Sequence, residues 1–385
     1  MIVYEIGTGY TPIPARIGAA TEIVVEELSR ALRKQGIEVC ILDVQAENRK
    51  ETELPIARIM VPRWLRGEDL TLGFRHKLKR VAYSVALAAR LSRLLKETEE
   101  IPVLHFHNQY NLFFFLLLVP KHLRRRCFTA YTVHSGIWRL PWTDICRTVR
   151  CRYFQEVRCI RKADMVFVLN EETAQTVTRY LNVPPDRVSR IQNGVNPDIY
   201  CPHPQEQRLP MILQVGSVCE NKGQLRTLKR LLQLLKDHAE LTFAYAGGIV
   251  EEDYQKKIES FAAEQGIGRQ VRYLGMIPPG RELARLYAQA TATILPSCYE
   301  AFGLVAVESL ATGTPVLIPE ESPLRFGAGC VLYDEVHLEE RIISLLEGPG
   351  SLAAQARKNA LENYSWDKIV MDYISVFAER CGENV

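Results

Sequence analysis

The sequence predicts an α/β protein of two doubly wound parallel-sheet domains, and three observations carry that prediction. At 385 residues the chain exceeds the roughly 250–300 residues at which a single hydrophobic core stops growing. Short β-branched and apolar runs alternate with longer stretches of helical spacing in both halves, the signature of parallel strands wrapped by helices. Midway, the turn dipeptide Asn193-Gly194 is followed by Pro197, Pro202, Pro204 and Pro210 in a polar stretch, which reads as a domain boundary and a hinge. The expected domains are 1–192 and 193–363, with 364–385 a C-terminal helix packing back on the first.

In the first domain, strands are expected at 2–6, 39–44, 103–106, 129–133 and 165–169. After the first of these, Ala20, Ile23, Val24, Leu28, Ala31 and Leu32 recur at steps of three and four, and Gly36 supplies a helix stop. In the second domain, strands at 211–215, 241–246, 271–274, 293–295 and 315–318 are separated by helices at 223–237, 253–265, 282–290 and 304–312. Near the C-terminus Tyr364, Trp366, Ile369, Val370, Tyr373 and Phe377 form an apolar stripe that must pack against something. Open parallel sheets bind ligands beyond the carboxyl ends of their strands, so two such domains are expected to face each other across a ligand cleft.

Composition narrows the class. A hydrophobic content of 47% with 24% charged residues excludes a disordered or fibrous chain. Ten cysteines are scattered with no Cys-x-x-Cys pair, against a clustered zinc site. Met1 to Gly9 lack a basic region followed by an apolar stretch, so a cytoplasmic protein with free thiols is expected. The apolar run from Leu112 to Val119 covers less than half of the roughly 20 residues a membrane span needs and is expected to be a buried helix. Residues 1–192 carry a net charge of plus 10 and the remainder minus 7. The first half is therefore expected to meet an anionic surface or substrate, or to spend that charge on solvated helix faces.

The densest chemical signal is Ser297 to Glu308, which follows a strand and runs into a helix. From Phe302, Gly303 and Leu304 onward, first-turn amides lack intrahelical partners and can receive a phosphate, with Gly303 permitting close approach. Glu308, about one turn deeper, and Glu300, in the loop with Ala301, are suited to sugar hydroxyls better than to phosphate or metal.

Glu300, seven residues, then Glu308, with Phe302-Gly303-Leu304 between them and Ala311, Gly313, Pro315 and Val316 beyond, resembles the family 4 retaining glycosyltransferases of the GT-B fold. The resemblance implies that Gly216, followed by Lys222-Gly223, is the family's phosphate segment, with Lys222 meeting the diphosphate as a point charge. Ser217 stands where the family has an arginine, and Arg16 is a candidate substitute. The segment from Pro14 through Gly18 and Ala19 resembles the family's glycine loop, with Ile17 in place of one glycine. Thr132-Val133-His134 resembles its Thr-Val-His motif, which implies that His134 meets the donor sugar's outer hydroxyl. His107 and Asn108, after another strand, are acceptor-side candidates. Gly247 resembles the segment lining the nucleotide, and Met276 the stretch holding the base.

A family-like enzyme transfers a sugar from a nucleotide sugar, most readily a UDP-sugar, to a hydroxyl acceptor with retained configuration and no obligatory protein nucleophile. Its catalytic group is expected to be Glu300, His134 and Lys222, with no cofactor, and with no metal because no Asp-x-Asp appears. The stretch from Arg75 to Val81 and Arg124-Arg125-Arg126 suggest an anionic membrane face or a phosphorylated acceptor, with peripheral placement at the inner membrane face. Nucleic acid is disfavoured, since no recognition motif or stacking platform accompanies the charge. A sugar-nucleotide epimerase on a similar scaffold and a non-catalytic nucleotide-sugar sensor are the alternative functions.

Overall fold

The structure, a computed structural model, describes residues 1–15, 19–47, 49–66, 74–203, 205–297, 300–348 and 350–382. The chain forms two compact units, Met1–Asn193 with Trp366–Val385, and Gly194–Ser365. The first unit holds strands β1 (Ile2–Ile6), β2 (Glu38–Val44), β3 (Ile56–Ile59), β4 (Val103–Phe106), β5 (Phe128–Val133), β6 (Met165–Val168) and β7 (Val188–Arg190). They form one parallel sheet in the order β3-β2-β1-β4-β5-β6-β7. The second holds β8 (Leu209–Val215), β9 (Thr242–Ala246), β10 (Val271–Tyr273), β11 (Ala290–Ile294), β12 (Val316–Pro319) and β13 (Cys330–Tyr333), parallel in the order β10-β9-β8-β11-β12-β13.

Both orders reverse direction once, between β1 and β4 in the first sheet and between β8 and β11 in the second. At such a switch point the loops after neighbouring strands diverge to opposite faces and leave a crevice at the strands' carboxyl ends. The central strands are covered by helices on both faces and are rich in apolar side chains: every residue of β5, β6 and β11 is buried.

The differences from the sequence reading have local causes. β3, β7 and β13 lie at or beside sheet edges, are three or four residues long and are partly exposed, so they carry no sustained apolar signal. The helix expected over 223–237 is two, Gln224–Arg230 and Leu232–Asp237. β11 begins at Ala290, directly after the helix Arg281–Gln289, because small residues there pack as a strand without announcing one. The apolar run folds into the helix Gln109–Leu118, but the expectation of full burial is corrected. Leu112, Phe115 and Leu116 are buried, whereas Leu117 and Leu118 are 56% and 47% exposed. A helix apolar all round gives no clue to which face is covered.

In the first unit the C-terminal helix Trp366–Cys381 lays Trp366, Ile369, Val370, Tyr373 and Phe377 into the core. The rings of Tyr373 and Phe377 lie 4.7 and 5.8 Å from that of Phe167 on β6, and Lys34 and Asp367 form an ion pair of 2.6 Å. Among the described residues, no helix is long and apolar enough to cross a membrane.

Candidate active site

In the second unit, three strand ends are laced together by glycine. Gly216, after β8, donates its N–H to the Ala246 carbonyl at 2.8 Å, and Gly247, after β9, donates to Gly275 at 2.9 Å. Gly247 has φ +149°, and a Cβ there would overlap the Gly216 carbonyl oxygen. Only glycine allows the two backbones to approach this closely.

The loop from Ser217 to Lys222 is pinned from beneath by two buried glutamines. Gln214 donates to the Lys222 carbonyl at 2.7 Å and Gln224 to the Ser217 carbonyl at 2.9 Å. This holds the Lys222 stem over Gly216, whose missing Cβ would lie 3.7 Å from the lysine's Cδ and Cε. The ammonium of Lys222 forms an ion pair with Oε1 of Glu300. Their side chains are 26% and 16% exposed, so the pair sits at the surface of the crevice rather than inside the core. Two residues expected to act on one donor are thus brought together from positions 78 apart in sequence.

Gly303, at φ +98°, turns the chain into the helix Leu304–Ala311. A Cβ on Gly303 would come within 3.2 Å of Leu295 and 3.3 Å of Phe326. The Phe302 side chain is buried against Phe326 and Tyr364, so only its backbone can serve a ligand. Glu308 is also buried, and Oε2 accepts from the Tyr287 hydroxyl at 2.9 Å. Burial pushes its carboxyl up to about 6. Met276 approaches Gly248, where a Cβ would lie 3.4 Å from its sulfur. Arg226 folds over Gly223, with Nη2 2.7 Å from where a Cβ would stand, and donates to the Pro296 carbonyl.

In the first unit, the crevice between β1 and β4 holds a carboxylate and three histidines. Glu5 Oε1 lies 3.1 Å from His105 Nδ1 and Oε2 lies 2.7 Å from His107 Nε2, while His107 Nδ1 lies 2.9 Å from His134 Nε2. His105 Nε2 is 2.8 Å from the Thr132 hydroxyl. Burial would raise the Glu5 carboxyl, but the charge and hydrogen bonds of His105, with those of His107, outweigh it and hold it at about 2. Burial, reinforced by His105, lowers His107 to about 4, and burial, reinforced by His107 and then His105, moves His134 well below the usual histidine range. Donor atoms of Glu5, His105 and His107 all lie within 4.8 Å of one another, the spacing of a metal-binding set, yet each is already used in a hydrogen bond.

The other first-unit candidates have local duties. Asn108 caps the helix Gln109–Leu118, accepting from the Tyr110 amide at 2.9 Å, and donates to the Tyr10 hydroxyl at 2.8 Å. Ala19 is the N-cap of the helix Ala20–Lys34. That helix carries Glu22, bonded to Thr8 and pushed up to about 7 by burial. Arg16 and Gly18 lie outside the described residues. Of the basic stretch beginning at Arg75, His76 and Lys79 are buried, Lys79 donating to the Tyr10 carbonyl at 2.7 Å, and Arg80 stacks 3.5 Å over Tyr110. Arg75 and Lys77 are exposed, so the stretch is divided between internal contacts and solvent.

Two parallel-sheet α/β units of seven and six strands, each with its candidate groups at a switch point, define the GT-B fold. A sucrose-phosphate synthase from Thermosynechococcus elongatus shares it with a TM-score of 0.78, at 20% identity and over 98% of both chains. The HepE protein of Anabaena, solved with UDP and glucose, shares it with a TM-score of 0.71, at 14% identity and over 98% of this chain and 99% of that one. Residues 21–199 match the model for glycosyltransferase family 4 and residues 202–363 that for glycosyl transferases group 1, and the chain belongs to glycosyltransferase family 4. A D-inositol 3-phosphate glycosyltransferase of Catenulispora acidiphila is 30% identical over 249 residues, 58% of this chain and 59% of the relative. The chain spans about six-tenths of the length of such curated relatives.

Proposed function

We propose that the chain transfers a hexose or N-acetylhexosamine, with retained anomeric configuration, from a UDP-linked donor to a hydroxyl of a saccharide, lipid-linked or small-molecule acceptor. The observation that carries this reading is the Lys222–Glu300 pair at the second unit's switch point, beside the glycine-laced strand ends and the helix that opens at Gly303. Family membership supports sugar transfer, and the UDP and glucose bound by Anabaena HepE support the choice of donor. No observation favours the epimerase or the sensor.

In this reading the bond from the sugar's anomeric carbon to the β-phosphate oxygen breaks as the acceptor oxygen attacks the same face. The acceptor's proton passes to the departing phosphate oxygen. The protein's task is to stabilise the growing charge on UDP, which falls to Lys222 and the amides at the start of the helix Leu304–Ala311. Arg226, on the adjacent helix, adds positive potential where Ser217 supplies none. Glu300 orients the sugar by accepting from its hydroxyls. Glu308, held by Tyr287, supports the helix start and offers its carboxyl to the nucleotide's ribose. His134 takes the outer hydroxyl of the sugar.

The test is a panel of UDP-, GDP- and ADP-hexoses screened for thermal stabilisation of the purified chain, since a saturating ligand raises stability by mass action. Incubation with candidate acceptors and NMR of the product's anomeric proton follow. Selective stabilisation by UDP derivatives and a retained anomeric centre are expected. Stabilisation by none of them, an inverted product, or an epimer formed without acceptor would each overturn the reading.

A further inference from the structure

The chain's least expected feature is the ionised carboxylate of Glu5, 0% exposed in the middle of a parallel sheet. Neighbouring positions of β1 are apolar, as a doubly covered strand requires, so Glu5 is costly unless its lone pairs are filled. They are filled by His105 and His107, two residues apart and therefore on one face of the chain at the end of β4.

We infer that Glu5 is a positioning residue that, through His107, holds His134 in its Nε2–H tautomer, so that the Nδ1 atom of His134 is a hydrogen-bond acceptor for a ligand hydroxyl. The deduction follows from donor and acceptor rules alone. An ionised carboxylate only accepts, so His105 Nδ1 and His107 Nε2 must each carry a proton. A neutral His107 protonated at Nε2 has its lone pair on Nδ1. His134 Nε2, 2.9 Å away, must therefore donate, which leaves the lone pair of a neutral His134 on Nδ1. At the other end, His105 Nε2 lies 2.8 Å from the Thr132 hydroxyl, which donates to it when the ring is neutral and accepts from it when both nitrogens carry protons; the Nδ1–H that faces Glu5 is the same in either state. One fixed charge sets the direction of every bond from Glu5 to His134.

The surroundings keep the array in this state. Phe167, Tyr373 and Phe377 pack their rings 5.4 to 5.9 Å from that of His105, the last two from the C-terminal helix. Among the described residues, Glu5 is the one charged side chain hydrogen-bonded to the three rings. Acceptor character at Nδ1 discriminates: a hydroxyl can donate to it, whereas a phosphate or carboxylate oxygen is repelled. Naming that hydroxyl as one on the transferred sugar rests on the function proposed above; the tautomer does not.

The test records long-range ¹H–¹⁵N correlations of the histidine rings in the whole chain near neutral pH, for wild type and Glu5→Gln. Wild type is expected to show His107 and His134 as Nε2–H and His105 as Nδ1–H. A glutamine must donate to one of its two partners, so in Glu5→Gln one of them changes tautomer: where it is His107, His134 follows and UDP-hexose affinity falls about tenfold while UDP affinity stays within about twofold; where it is His105, His134 and both affinities are unchanged. His134 protonated at Nδ1 in the wild type would overturn the inference whatever the variant does. So would tautomers unchanged in a folded Glu5→Gln, or an equal loss of UDP and UDP-hexose affinity. Stoichiometric zinc in the purified chain, with ring shifts that collapse on chelation, would also overturn it, because Glu5, His105 and His107 would then be ligands. If no sugar nucleotide binds while the tautomers are as stated, the proposed function fails and the positioning array stands.

Discussion

Replacing Glu300 with glutamine should tighten UDP binding while it slows sugar transfer. The Lys222 ammonium is already in direct ionic contact with the Glu300 carboxylate. A diphosphate oxygen reaching the same ammonium at about 3 Å lies about 5 Å from that carboxylate, where two unit negative charges in an effective dielectric of about 20 repel by about 3 kcal/mol. With side chains 26% and 16% exposed, solvent and salt reduce this to about 1–2 kcal/mol. Glutamine removes the repulsion and releases Lys222, so UDP should bind about tenfold tighter. Turnover should nevertheless fall about a hundredfold, because the charge-directed contact with the sugar is lost. Calorimetric titration with UDP at low and high salt, beside initial rates with UDP-hexose, reads both arms. Weaker UDP binding by Glu300→Gln, or a gain that salt does not diminish, would refute the electrostatic argument.

Other outcomes follow from single contacts. Lys222→Ala should weaken UDP binding about thirtyfold or more, the loss of one charge-assisted contact, with an unchanged melting temperature; titration and thermal melts check both. Gly247→Ala combines a positive φ with an overlap onto the Gly216 carbonyl and should cost more than about 3 kcal/mol, seen as a lowered midpoint in denaturant. Glu156 is buried with Oε2 unpartnered and Oε1 accepting from the Tyr131 hydroxyl at 2.9 Å, and burial raises it from 4.5 to about 7. Its protonated form stabilises the fold below pH 4.5, and that stability of about 3 kcal/mol is lost as pH rises through about 7. Glu156→Gln should thus stabilise the chain at pH 8 and have little effect at pH 4; equal effects at both would contradict the assignment.

The order of the central strands and the helices between them was legible in the amino-acid sequence because each element's burial writes a local period into it, whereas the short edge strands β3, β7 and β13 write none. The doubly covered strands are continuous apolar runs, and the helices repeat at three and four residues. The helical entrance at Gly303 was legible for the same reason: a strand end, a glycine and an apolar helix are consecutive. Lys222 and Glu300 were set on one donor by the family resemblance; what lay beyond reach was the remaining pairing of residues distant along the chain. Glu5 reads as one acid in an apolar strand until the fold sets it against His105 and His107, 100 and 102 positions away. Glu308 looks like an unpaired carboxylate until Tyr287 donates to one of its oxygens, and the basic stretch from Arg75 looks like a continuous charged face until His76 and Lys79 turn inward. A sequence fixes which groups are present and the local geometry of their backbone. Only the packed chain decides which of those groups lose water and which of them then pair, and both depend on neighbours that strand order, not sequence separation, brings into contact.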